Sequence, residues 1–115
     1  MTIKKVYFML YANDMDRAVA FYTQAFGLTP RVTSPGWSEL AWGDATLALH
    51  AGGSADTTVT GLGFDTDDAK ATCAAVLAAG GSVLEEPAAR GGEGILLATV
   101  QDTEGNRFSI SQSVR

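Results

Sequence analysis

Two tryptophans, three tyrosines and a single histidine carry most of the chemistry open to this chain. His50 is the one side chain whose ordinary titration falls near working pH, so it could donate a hydrogen bond inside a cavity or act as a general acid or base. It also stands just before Ala51-Gly52, where a strand end meets water, and reads equally well as a solvated residue. Tyr7, Met9 and Tyr11 alternate opposite Phe8 and Leu10, which lines two phenols and a thioether along one face of an opening strand. Trp37 and Trp42 lie on opposite faces of another short strand, so at most one points the same way as Tyr7. Such rings suit a flat or cationic organic ligand, and core or interface packing is the alternative use for them. Arg107, Ser109 and Ser111 alternate near the carboxyl end and could orient a polar ligand group, or simply face solvent.

Other reactive types give less. Glu85-Glu86 reads as an exposed strand end, and Cys73 sits mid-helix among alanines as a structural thiol. No Ser–His–Asp order has persuasive spacing. Arg90-Gly-Gly-Glu-Gly94 lacks the spacing of a phosphate loop and reads as a lid over a cavity mouth, within a loop from Ala88 to Gly94.

The elements that must position these residues come in two similar halves. Asp14-Met-Asp-Arg17-Ala18 opens a helical pattern closing at Gly27, and Asp67-Asp-Ala-Lys70-Ala71 opens another closing at Gly80. Met15, Ala18, Val19, Tyr22, Ala25 and Phe26 form one apolar stripe at helical period, with Asp14 as N-cap and Gly27 as C′ residue. The second helix, about Asp67 to Ala79, is rich in alanine, which predicts close packing on a sheet. Strands are expected at Lys5–Tyr11, Thr29–Ser34, Trp37–Trp42 and Ala45–His50, then at Thr60–Asp65, Ser82–Glu86, Ile95–Gln101 and Asn106–Gln112. Asp102-Thr-Glu-Gly105-Asn106 is the turn between the last two. The order is βαβββ twice: a first module over 1–51, a linker over 52–58 and a second module over 59–115.

Composition bounds the function. A chain of 115 residues, 46% hydrophobic and 18% charged, has a globular make-up and can bury a core without staples. A net charge of −5 without a basic cluster argues against nucleic acid and anionic membranes as partners. No apolar run approaches a membrane span, and the stretch after Lys4-Lys5 reads as a strand rather than a signal peptide. The lone Cys73 cannot form an internal disulfide, which fits a reducing cytoplasm.

The repeated βαβββ order, the run Asp-Met-Asp-Arg-Ala-Val-Ala-Phe-Tyr over 14–22 closing at Phe26-Gly27, and Asp102-Thr-Glu-Gly-Asn106 resemble the vicinal-oxygen-chelate family, which includes glyoxalases, bleomycin-resistance proteins and extradiol dioxygenases. The resemblance implies an α+β fold in which curved mixed sheets enclose a cavity, and a homodimer whose cavities draw on both subunits. Thr103 stands where that family usually has Pro. Its metal enzymes take ligands, typically His and Glu, from the opening and closing strand of each module. The matching positions here are Tyr7, Ala48, Thr60 or Gly61, and Ser109, which implies no metal and no cofactor. A relocated site on His50 and Glu39 would have too few ligands. The resemblance therefore points to a metal-free, antibiotic-resistance-like protein. It would sequester an aromatic or bulky organic compound against Tyr7, Met9, Tyr11, Trp37, His50 and Ser109. The alternatives are a metal-free isomerase-, cyclase- or lyase-like enzyme using His50 or Tyr7 as acid/base, and a degenerate interaction module.

Overall fold

The computed structural model describes residues 1–53, 56–89 and 94–113. In chain order the elements are β1 (Tyr7–Ala12), α1 (Met15–Phe26), β2 (Thr29–Val32), β3 (Trp37–Trp42), β4 (Ala45–Ala51), β5 (Thr58–Asp65), α2 (Ala69–Ala78), β6 (Ser82–Ala89), β7 (Ile95–Gln101) and β8 (Asn106–Ser113). They form two mixed four-stranded sheets of identical plan, β1-β4-β3-β2 and β5-β8-β7-β6. In each the opening strand runs parallel to the closing one, and the other pairings are antiparallel. This is the expected α+β fold of two βαβββ modules.

Each helix starts and stops for local reasons. The Asp14 carboxylate accepts the Arg17 N–H at 3.1 Å, and Gly27 closes α1 in the left-handed region at φ 68°. In the second module the cap is Asp68, whose carboxylate accepts the Ala71 N–H at 3.0 Å. Asp67, the expected start, therefore lies outside the helix, one residue before the cap. Phe21 falls off the predicted apolar stripe, yet only 1% of it is exposed. The reason is a second neighbour: a Cβ at Gly81 would lie 2.7 Å from the Phe21 ring and 2.6 Å from the Gln101 carbonyl oxygen. Glycine there lets the chain after α2 press against α1.

Two further expectations change, and one neighbour of the core proves more open than its strand position suggests. The linker is shorter than 52–58, because β5 already begins at Thr58. Strand β6 runs on to Ala89, taking the first two residues of the segment read as a loop, and Arg90–Glu93 lie outside the described residues. Phe8 does point to the helix-covered face with Leu10, but it sits at an opening and stays 37% exposed, whereas Leu10 is 3% exposed. Phe8→Ala should accordingly cost far less than the several kcal/mol of a core deletion.

Leu10, Tyr22, Leu49, Val76, Phe108 and Ile110 belong to one buried cluster spanning both modules. A polar seam beside it ties the halves together. Asp102, 3% exposed, accepts the Tyr22 hydroxyl at 2.6 Å and the backbone N–H groups of Glu104 and Asn106 at 2.7 and 2.9 Å. Asn106 donates to the Tyr11 carbonyl at 2.9 Å. Glu104 accepts the Asp14 N–H at 2.8 Å and the Arg17 guanidinium at 2.7 and 3.1 Å. Burial alone would raise the Glu104 carboxyl, but the hydrogen bonds from Arg17, Thr103 and Asp14, with the Arg17 charge, hold it below its ordinary 4.5. A lowered folded-state value means that this stabilisation is present above 4.5 and is lost as pH falls through the folded value. Thermal unfolding followed below neutral pH should show a falling midpoint in that acid range. Glu104→Gln should flatten this dependence, and an unchanged slope would show that Glu104 is not a source of it.

Candidate functional site

The first sheet presents two faces, and its register decides which residues share one. On β1, β4 and β3 the pairings Tyr11–His50–Trp37, Met9–Ala48–Glu39 and Tyr7–Thr46–Ala41 form three rows across the sheet. All nine point away from the helices, because Leu10, Leu40, Leu47 and Leu49 take the other face into the core. Five of the six predicted site residues thus come together on one wall. Tyr7 lies edge-on to Trp37 with ring centroids 5.8 Å apart. The Tyr11 and His50 rings meet at 5.6 Å, and those of Trp37 and His50 at 6.0 Å. Tyr7 and Tyr11 remain about half exposed, at 51% and 49%. This is an open aromatic wall.

Its polar groups are placed by hydrogen bonds. The Trp37 indole donates to a Glu39 carboxylate oxygen at 2.8 Å, and Lys5 pairs with the other oxygen. The Lys5 hydrogen bond, followed by that of Trp37, holds the Glu39 carboxyl below its usual value. Glu39 is thereby kept ionised and bound to Trp37, and it fixes the indole's tilt. His50 carries Nδ1 2.7 Å from the Ala51 carbonyl oxygen, close enough to donate there and leave Nε2 as an acceptor on the wall.

Ser109 stands apart from these five. It is exposed on the outer face of the second sheet, paired with Gly63 and Thr99. Its neighbours on that face are engaged locally: Arg107 donates to Gln101 at 3.3 Å, and Ser111 to Asp65 at 2.9 Å. The opening position of β5, Thr60 or Gly61, falls within a register shift between Val59 and Gly63, where the Thr60 hydroxyl donates to the Arg107 carbonyl at 2.6 Å. Cys73 is buried, and that burial, then the Glu86 charge, pushes its thiol up, as suits a structural residue.

Sequence reasoning passed over one feature. Trp42 is on the helix-covered face, where it borders a cleft of about 490 Å³ between the first sheet and β5. Its position directly before the Gly43-Asp44 turn, on the face opposite Trp37, was the available signal.

A model of the glyoxalase/bleomycin resistance protein/dioxygenase superfamily matches residues 5–110. The chain belongs to that superfamily. A Brassica oleracea var. gemmifera protein named "Putative lactoylglutathione lyase" is 32% identical across 87% of this chain, which spans 41% of that longer protein. Two solved structures share the fold. A glyoxalase/bleomycin resistance protein/dioxygenase family enzyme from Burkholderia phytofirmans PsJN gives a TM-score of 0.79 at 22% identity, covering 93% of this chain and 96% of its own. A glyoxalase-related enzyme from Fulvimarina pelagi gives 0.80 at 19%, covering 96% and 88%.

Among superfamily proteins, the resemblance places metal ligands at positions that here carry Tyr7, Ala48, Thr60 or Gly61, and Ser109. None offers an imidazole, carboxylate or thiolate, and among the described residues no group of three His, Cys, Asp or Glu is placed to hold a metal ion. This donor set does not fit a divalent cation. No helix among the described residues is long and apolar enough to cross a membrane.

Proposed function

We propose that this superfamily member binds a small aromatic or bulky organic compound against the outer face of its first sheet, without a metal, and acts by retaining it. The observation that supports this reading is the convergence of Tyr7, Tyr11, Trp37 and His50 in mutual edge-on contact, with Met9 between the two tyrosines. Aromatic and thioether surface supplies contact area for a flat ligand, while Glu39 and His50 offer one acceptor each. Half-exposed rings on an open wall also suit a homodimer in which a second copy completes the cavity, with Ser109 contributed from an opposite face.

A second reading, a metal-free enzyme, rests on His50. Its Nδ1 contact with Ala51 would leave Nε2 able to take a proton from a bound substrate, and Tyr7 would be the neighbouring acid. Turnover abolished by His50→Ala would favour this reading over retention.

The test is a titration of Trp37 fluorescence with planar aromatic drugs in a Trp42→Phe background. Saturable quenching at about one equivalent per cavity is expected. Losing one ring contact of about 0.5–2 kcal/mol in Tyr7→Ala should weaken binding by roughly two- to thirtyfold without unfolding the protein. Saturable binding that Tyr7→Ala leaves unchanged would remove this wall from the site.

A further inference from the structure

The two halves of the chain differ in what fills the seam between them. The β7–β8 turn, Asp102 to Gly105, folds over the start of α1 and hands it the Glu104 carboxylate. The corresponding β3–β4 turn is only Gly43-Asp44, and the 490 Å³ cleft lies between the end of that hairpin and the β5–α2 link.

From its lining we infer a second binding site, for a flat hydrophobic organic cation, on the opposite face of the first sheet from the aromatic wall. Its volume falls within the range of small-molecule pockets. Phe8, Phe26, Trp42 and Phe64 border it, and the stacked rings of Phe26 and Phe64, 4.0 Å apart, form a rigid floor. Trp42 is 69% exposed, a large indole held in water at the mouth. An aromatic occupant would cover it, and a cationic one would be drawn to its face.

The charge at the mouth has one sign. Asp67 lies at its β5 end, beside Asp65, whose carboxylate turns to Ser111 on the outer face, and no Lys or Arg is among the lining residues. An anion finds no cationic partner there, and two N–H groups in the first turn of α2 are already taken: Asp68 accepts from Ala71, and the Gln112 side chain accepts from Ala69 at 2.7 Å. Helix α1, by contrast, presents Arg17 and the Tyr22 hydroxyl to the carboxylates that fill its seam. A cation satisfies the acidic rim, and the chain's net charge of −5 draws it in. Thr66, on the same wall, keeps a hydroxyl oxygen that has neither solvent nor a hydrogen-bond partner among the described residues. Rotation about its Cα–Cβ bond would offer that group to an occupant.

The two tryptophans separate this site from the proposed one, since Trp37 reports the wall and Trp42 the cleft. The probes are 9-aminoacridine, a planar cation at neutral pH, and its uncharged relative acridine. In Trp37→Phe protein, 9-aminoacridine should quench Trp42 saturably, and acridine should bind more weakly. Asp67→Asn removes an exposed charge and should weaken 9-aminoacridine binding about two- to fivefold while leaving acridine unchanged. The proposal falls if Trp42 is not quenched saturably or if Asp67→Asn has no effect. Each of these results leaves the Trp37 titration to stand or fall on its own.

Discussion

Replacing Asp102 with alanine is expected to lower stability by about 3–5 kcal/mol, because several buried donors lose their acceptor at once. The carboxylate takes the Tyr22 hydroxyl, two backbone N–H groups and the Asn106 side-chain amide at 2.9 Å. Tyr22 is fully buried, and burial, then the Asp102 charge, pushes its phenol well above the ordinary value of 10. Its neutral O–H would therefore stay in the core with nothing to donate to. Asp102→Asn keeps the shape and one acceptor oxygen, so its loss should be about half as large. Urea unfolding of the three proteins measures this directly. A loss below about 1 kcal/mol in Asp102→Ala would mean that water enters the seam and replaces the carboxylate.

Phe108→Ala should cost a similar amount, about 3–5 kcal/mol, for a different reason. Phe108 is 2% exposed and packs against Phe26 and Phe64 at 5.7 Å and Tyr22 at 6.0 Å, so its ring belongs to both modules. A cavity there weakens the joint as well as β8. Calorimetry should still show one transition, at lower temperature, because the remaining cluster is continuous across the halves. Two separate transitions would show that Phe108 is the main coupling between them.

The repeat, the helices and most strands were legible because each leaves a local signature: an Asp cap, a closing glycine, a period of two or of 3.6. Strand alternation likewise placed Tyr7, Met9, Tyr11, Trp37 and His50 on one face, since the side-chain period survives any uncertainty about strand ends. What remained hidden depends on distant partners. Phe21 looked off-stripe until the chain at Gly81 supplied its other neighbour. Asp102, Glu104 and Asn106 read as turn formers, and only their meeting with α1 makes them buried. Ser109 shares the right parity with the wall, but parity says nothing about which sheet faces which. Thr60 was ambiguous because a register shift in β5 breaks the period there.

The seam also imposes an order on biosynthesis. The start of α1 is finished by residues far downstream: Asp14 waits for Glu104 across 90 positions, and Tyr22 waits for Asp102 across 80. At about 5–20 residues per second, a ribosome needs roughly four to eighteen seconds to make that interval. During it, the nascent amino-terminal half holds uncovered the part of α1 that later meets the β7–β8 turn and α2. The halves look interchangeable in the finished molecule, but they are unequal during translation. The half made first is completed only by the turn between β7 and β8.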